Sequence, residues 1–479
     1  MKKEEKSSNK CPICRRLTHK ESKYCIFHAS AEEKTEKEFK RALIKYAEKI
    51  KKEDGDYDFE KFIFVGDIDF KKDLNITVFG NANFRKTIFN GRATFKEATF
   101  KAGAYFVWTI FNGPSFFSNS TFEAGANFTG AIFKEHAFFS QANFKTATNF
   151  TGATFKENAY FTFATFNGYA IFDKANFKGD VSFYLKNLLT YLSLNEAKVF
   201  PGKKLSIDVN NGKNNIYFKR AYLENACLNL ELCEDVFIDL TDTLLRNTKI
   251  KKDQIKNHIF QEKEKNFSEA QEIYLLLKNN FHSIGRYNDE SWAFKKEKDM
   301  ERKSYFIKAF MKNVESKEEK NEGKDQKVKK IKVILYSNCM KIKEFGKWLW
   351  SGFCNIIYGY GEKPWNVVIS AGVIIIFFAL IFSSIGISNL EIIDLKGITV
   401  NQNTGNIVDS ASKGLLKNNV IRNIPDSLYF SLITFTTLGY GDFRPLEGWG
   451  RILAGSEAFI GAFMMALFVY TFARRTGGR

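Results

Sequence analysis

The sequence predicts a multidomain chain: a coiled β-solenoid, then a helical hairpin, then an all-α domain that crosses a membrane twice. Three observations carry that prediction. Phe recurs in steps of five and six over residues 84–183, apolar residues recur at helical spacing over 270–300, and two long apolar runs lie near the C-terminus. A length of 479 residues suggests about three domains at roughly 150 residues each. With 44% hydrophobic and 26% charged residues, a sizeable core is available and a globally disordered polyelectrolyte is excluded. Only six Pro exclude a collagen-like or proline-rich chain. The net charge of +18 leaves nucleic acid, an anionic membrane face or a solvated surface open.

Residues 1–60 read as a metal-binding module with a helical lead-in. Cys11-Pro-Ile-Cys14 and Cys25-Ile-Phe-His28 are two tight turns, each offering two ligands at the spacing that converges on a tetrahedral Zn²⁺. Four protein ligands leave no position for a catalytic water, so the zinc would be structural. His19 is a possible substitute ligand, and the competing reading is a set of idle thiols in a flexible tail. Met1–Lys10 is charged and no apolar stretch follows it, so no secretory signal is expected. With seven scattered Cys, a reducing compartment fits better than a disulfide framework.

Residues 61–260 read as the solenoid. From Phe84 to Phe183, each of the nineteen Phe spaced five and six apart is preceded two positions earlier by a small or β-branched residue, as in Ala93 and Phe95 or Thr109 and Phe111. Two positions on an extended chain share a face, so both point inward, and polar pairs such as Lys96-Glu97 turn corners outside. Steps of five and six scatter around a helical wheel, which excludes a helix. The 11-residue A-x-F-x-x-A-x-F unit resembles the pentapeptide-repeat family over about 100 residues. That resemblance implies a right-handed four-sided β-helix with the Phe as core. Two units per coil give a regular rod about 22 Å long at about 4.8 Å per coil. Residues 184–260, with Ala221, Leu223, Ala226 and Leu228 keeping the small-x-apolar unit, read as a degenerate continuation or cap. The segment is mildly basic, against an acidic DNA-mimic role.

Residues 261–312 read as a tetratricopeptide-like helical hairpin. Ser268-Glu-Ala-Gln271 has the form of a capping box, Ala270, Ile273, Tyr274, Leu277 and Phe281 follow at helical spacing, and Gly285 breaks the first helix. One such hairpin cannot bury its own face, so it must pack on the β-helix end, the membrane part or a neighbour. Residues 313–363 read as a linker, hydrated over 313–330, basic over 327–347 and interfacial over 348–360. Its seven Lys over 327–347 face one Glu, which carries a third of the net charge and suits anionic lipid headgroups.

Residues 364–479 hold the two spans. Trp365–Ile387 is 23 residues without a charge, and Ile452–Ala473 is interrupted only by Glu457. The Lys-rich stretch before the first span and Arg474, Arg475 and Arg479 after the second put both termini in the cytoplasm by the positive-inside rule. Between the spans runs Pro425-Asp-Ser-Leu-Tyr-Phe-Ser-Leu-Ile-Thr-Phe-Thr436-Thr437-Leu438-Gly439-Tyr440-Gly441-Asp442. A short helix ending in an extended Gly-containing strand offers successive carbonyls to a dehydrated cation, with Gly439 and Gly441 allowing positive φ.

This string between two spans resembles the potassium-channel family in its prokaryotic two-transmembrane form. The resemblance implies K⁺ sites at Thr437, Leu438, Gly439, Tyr440 and Gly441, with Asp442, Thr436 and Glu457 as filter support and Gly461 as a gating hinge. Leu438 replaces the commoner Val, and Ile433 stands where some members place a carboxylate that pairs with the filter Asp. A single pore loop supplies a quarter of a filter, so a homotetramer in the cell (inner) membrane is expected. A second Gly-Tyr-Gly at Gly359–Gly361 lacks the Thr pair and reads as a decoy.

The expected function is passive K⁺ conduction, with Zn²⁺ as structural cofactor and no nucleic-acid partner. No nucleophile, base and acid converge, so no enzyme is expected. No Arg-periodic span is present, which argues against steep voltage gating. The sequence ends six residues after Ala473, so control is expected to arrive from the N-terminal side. The rival reading is a non-conducting, membrane-anchored interaction scaffold built on the solenoid.

Overall fold

A computed structural model describes residues 10–53, 55–310, 325–392, 416–446 and 448–477. It divides into two compact units, Met1–Ser304 and Tyr305–Arg479.

The first unit is a β-solenoid closed at both ends. Parallel strands of mostly two residues stack at a 22-residue interval, for example Ile110 on Ile132 and Phe111 on Phe133. One face forms a nine-stranded sheet and a second a seven-stranded sheet, while the remaining two faces merge through the long strand Val181–Leu188. All nineteen Phe of the ladder are buried, as are the small residues two positions before them. Phe84, Phe106, Phe128, Phe150 and Phe172 form one column, each ring 4.6–4.7 Å from the next and within 5° of parallel. Of the three Thr that replace Ala inside, Thr87 donates its hydroxyl to Phe59 O (2.7 Å) and Thr109 to Phe84 O (2.6 Å), whereas the Thr148 hydroxyl is buried without a partner. At 87 and 109 the buried polar atom is thereby satisfied.

Lys96-Glu97 is legible as a corner, but the backbone conformation of the corners is not. A residue of positive φ recurs every 11 positions at Lys86, Glu97, Trp108, Asn119, Gly130, Gln141, Gly152, Phe163 and Lys174. Only two of these are Gly. The others bear a left-handed conformation costing about 1–2 kcal/mol each, held by the ladder bonds on either side.

Coiling continues through residues 184–260 rather than ending in a separate cap. Tyr217 stacks into the sheet that ends at Phe237–Asp239, and bridges join Tyr222 to Leu244 and Ile238 to Ile259. Nine strand levels on one face span about 38 Å, longer than the regular repeat alone.

Three short or lead-in helices frame the coils: α1 (Glu36–Glu53), α2 (Phe70–Leu74) and α3 (Phe260–Lys263). The hairpin follows as α4 (Phe267–Ser283) and α5 (Tyr287–Phe310). Ala270, Ile273, Tyr274, Leu277 and Phe281 are buried as their spacing predicts. The cap differs: Asn266, not Ser268, accepts from the backbone at Glu269, and the Ser268 hydroxyl is engaged with Ser304 (3.0 Å). The hairpin packs on the solenoid end. Asn280 of α4 accepts from Thr248 N (2.9 Å) and donates to Thr248 O (3.0 Å), replacing the strand that a further coil would supply. Tyr274 and Lys296 both reach Glu262, whose carboxylate they hold ionised against its burial, below the usual range.

In mid-stack, Phe117 lies 4.8 Å from both Phe95 and Phe139. Phe117→Ala is expected to cost about 3–5 kcal/mol in denaturant unfolding of the solenoid. Phe163→Ala, at an exposed corner, should stay within about 0.5 kcal/mol. Equal costs for the two would refute the stacked core as the source of stability.

The second unit contains α6 (Asp325–Tyr358), α7 (Pro364–Ile385), α8 (Ile424–Phe435) and α9 (Trp449–Gly477). The hydrated linker expected over 313–330 lies outside the described residues up to 324, and from Asp325 onward the backbone is helical. Helices α7 and α9 are long and apolar enough to cross a membrane. The first ends at Ile385 rather than Ile387, because Gly386 at φ 97° breaks it and Ile387 opens a strand. The strands Ile387–Ile392, Leu416–Ile421 and Phe443–Pro445 form a small antiparallel sheet that the sequence did not signal.

Candidate functional site

Helix α8 begins at Pro425 one position inside its start, with Asn423 capping Asp426 N at 2.9 Å. It ends at Phe435, and Thr436 caps it by donating its hydroxyl to Leu432 O (2.7 Å). The chain then turns sharply into an extended run. Thr437, Gly439 and Gly441 have φ of 56°, 52° and 84°, while Leu438 and Tyr440 between them do not enter that region. Alternation of this kind turns successive peptide groups to one side. Leu438 N donates to Ile433 O at 3.0 Å, tying the run to the last turn of α8.

Asp442 lies just past the run, where its carboxylate accepts from Phe443 N (3.1 Å). The Tyr429 phenol, one turn before the apolar Ile433, lies near enough to feel the Asp442 carboxylate. The sequence marks Ile433 as lacking the carboxylate that some family members place there, and it carries no signal for Tyr429.

The inner face of α9 packs closely on α8. Gly461 is so near that a Cβ there would lie 1.9 Å from Phe435 O. Glu457 is fully buried and hydrogen-bonded to Ser431 of α8, and Ser431 Oγ also lies 2.8 Å from Ile375 O of α7. Neither Ser431 nor Ile375 carried a motif that would have singled it out.

The second Gly-Tyr-Gly is a turn between α6 and α7. Tyr360 adopts φ 56°, its hydroxyl meets Ser351 (2.7 Å), and its carbonyl accepts from Arg474 Nη1 (3.4 Å). Arg474, at the end of α9, also pairs with Glu362 (3.4 Å), whose side chain is 9% exposed.

Residues 374–477 match the family model described as an ion channel. The C-terminal part is an ion-channel domain. Residues 109–154 and 139–184 match the model for pentapeptide repeats, so the channel domain follows a pentapeptide-repeat solenoid. The chain is 44% identical over 50 residues to a voltage-gated potassium channel protein of Caenorhabditis elegans, covering 10% of this chain and 9% of that one. It is 41% identical over 44 residues to a Rhodopseudomonas palustris protein that carries the provisional name of potassium channel protein, covering 9% and 11% respectively. The chain thus spans about a tenth of the length of the curated relatives it matches. No solved structure matches the chain.

Apart from the channel domain, one metal-competent cluster stands out. Cys11, Cys14, Cys25 and His28 bring their ligand atoms within 4.8 Å of one another. His19, the possible substitute, is not in the cluster. Two turns shape it: Arg15 N donates to Cys11 O (2.8 Å), and Ala29 N to Cys25 O (2.8 Å). His28 turns Nδ1 toward the thiols, 3.2 Å from Cys25, and Nε2 toward Glu60 O at 3.1 Å. A carbonyl on the far nitrogen fixes the tautomer that leaves Nδ1 free to ligate. Burial pushes the Cys25 thiol up to about 12 and His28 down. The cluster sits on the N-terminal end of the solenoid, where Phe27 stacks on Phe62 (4.6 Å) and Ile63 N donates to Phe27 O (2.8 Å). Three thiols and one imidazole at these separations suit a tetrahedral, thiophilic ion.

Proposed function

We propose that the protein is a K⁺-selective channel whose filter is Thr437, Leu438, Gly439, Tyr440 and Gly441, contributed by four copies of the chain. The observation that carries the reading is the Thr-Thr-Leu-Gly-Tyr-Gly-Asp run with alternating positive φ, set at the end of a short helix between two spans. Carbonyls facing one axis replace the hydration shell of a dehydrated cation, and the C-terminal end of α8 adds a favourable dipole. Tetramer formation is supported by the exposed apolar side chains of a single chain, among them Leu438, Tyr440, Phe459 and Phe463. Both relatives' names point to potassium. In liposomes, purified protein should pass K⁺ over Na⁺ and be blocked by Ba²⁺; equal K⁺ and Na⁺ flux would refute the selectivity.

Thr436, Asp442 and Glu457 support the filter in this reading, and Gly461 serves the inner helix as a hinge or contact point. Arg474 and Arg475 beyond the second span, and the basic stretch over 327–347, favour cytoplasmic termini and contact with anionic headgroups of the cell membrane.

The Cys₃His cluster is proposed to hold one structural Zn²⁺ that fastens the N-terminal module to the first coil. Its thiols must lose protons to ligate, so affinity falls as pH falls. Elemental analysis should find about one zinc per chain, lost to chelators more readily at pH 5.5 than at pH 7.5. Absence of metal from protein purified without chelators would sink this assignment.

Regulation by the N-terminal assembly is supported by the turn that joins α6 to α7. It touches Arg474 at the end of the inner helix, so force on α6 reaches the region of a gate through Tyr360 and Glu362. Deleting residues 1–312 should alter open probability or assembly, and a truncated channel with unchanged gating and stoichiometry would defeat the idea.

A further inference from the structure

Counting protons at one buried junction gives Glu457 a chemical state. Ser431 Oγ is hydrogen-bonded to two oxygens, Ile375 O of α7 (2.8 Å) and Glu457 Oε1 of α9. A hydroxyl has one proton to donate, and a backbone carbonyl has none. If Glu457 were a carboxylate, two acceptors would compete for a single hydrogen. Its second oxygen, Oε2, is buried without any partner. Ser427, one turn before Ser431 on the same face, is equally buried and its hydroxyl has no partner either.

No cation compensates. Among the described residues no Lys or Arg pairs with Glu457, and α7 has no ionisable side chain between Pro364 and Ile385. On α8, Asp426 stands five residues before Ser431, and the Tyr429 phenol lies near Asp442. On α9 the nearest charged residue is Arg451, six residues or about 9 Å along the axis. A charged carboxylate in such a place is strongly disfavoured.

We propose that Glu457 is a neutral carboxylic acid that donates its proton to Ser431, which in turn donates to Ile375 O. The relay Glu457 to Ser431 to Ile375 ties the inner, pore and outer helices together with each hydrogen assigned to one acceptor. Glu457 is thereby a positioning residue: it fixes α8, whose last turn holds Leu438 through Ile433 O. The flux part of this inference rests on the channel reading, whereas the protonation state rests on the fold alone.

Infrared difference spectra and ion flux of the full-length protein test it. Subtracting the spectrum of Glu457→Gln from that of the parent at neutral pH should reveal the carbonyl band of a protonated carboxylic acid. Glu457→Gln keeps a donor to Ser431 and should retain flux within about twofold, while Glu457→Ala removes the donor and should lower flux about tenfold or more. A carboxylate band in place of the acid band would overturn the proposal, as would a Gln variant as defective as the Ala variant or an Ala variant with parental flux. If Glu457→Ala fails to assemble, the parent-minus-Gln spectrum decides the protonation state by itself. A protein that shows the acid band yet passes no K⁺ would refute the channel reading and leave the relay standing.

Discussion

Gly439→Ala will carry no measurable K⁺ flux while still forming the parental oligomer. Gly439 sits at φ 52°, a region in which an L side chain costs about 1–2 kcal/mol. A Cβ at this position has nothing within 4 Å in the chain, so the penalty is torsional and not a clash. The cheapest relief is for Gly439 to leave the left-handed region, which turns its peptide away from the ion axis. In a tetramer four such peptides would turn together, and a ring of carbonyls would be lost. The helices that hold the assembly need not move. Gly448→Ala supplies the control, since Gly448 shares positive φ (76°) and open surroundings but lies beyond the proposed filter. Parental flux through Gly439→Ala, measured beside Gly448→Ala, would remove Gly439 from the conduction path.

Gly461→Ala is expected to fail for a different reason. Here a Cβ would lie 1.9 Å from Phe435 O and 3.1 Å from Phe435 Cα, so α8 and α9 must separate. Forcing one methyl into a packed contact costs about 1–3 kcal/mol, and more when the obstacle is backbone. Phe435 ends α8 two residues before Thr437, so the displacement is delivered to the proposed filter. Flux and oligomer melting temperature should fall together. A hinge role alone would change gating and leave melting unaltered, so the two roles separate in one experiment. Gly455→Ala, on the same helix with nothing near its Cβ, should be neutral or stabilising by up to about 1 kcal/mol.

What could be read in advance follows from how local each rule is. The Phe columns were legible because every coil repeats the same two-residue relation, and position 95 means what position 117 means. The left-handed corners were not, because Lys86, Trp108 and Gln141 have no preference for that conformation and are held in it by neighbouring coils. The end of the solenoid was blurred for the same reason: the coils persist after the Phe give out, with Leu and Ile filling the core. At the hairpin, Ser268 has the form of a cap in the sequence, but Asn266 takes that place and Ser268 is engaged with Ser304. The run from Thr437 to Gly441 was legible as a contiguous string. Its surroundings were not: Ser431 and Glu457 are 26 residues apart, and Tyr429, midway along α8, lies near Asp442 thirteen residues on. Such pairs leave no periodicity in the chain. The repeated Gly-Tyr-Gly at Gly359 differs from the run at 437–441 by its missing Thr pair, which the sequence shows, but its grip on Arg474 needed the fold to be seen.

The 22-residue register has a consequence for how such a protein can change. Because each coil touches only its neighbours, and Asn280 and Phe27 close the two ends independently of what lies between, whole turns are interchangeable units. Duplicating residues 106–127 would lengthen the solenoid by one step of about 4.8 Å and leave both terminal closures intact. Adding five residues would rotate every later side chain to a different wall. The solenoid is therefore a graduated ruler, adjustable by gene duplication in fixed increments, and its length can be retuned without redesigning either end.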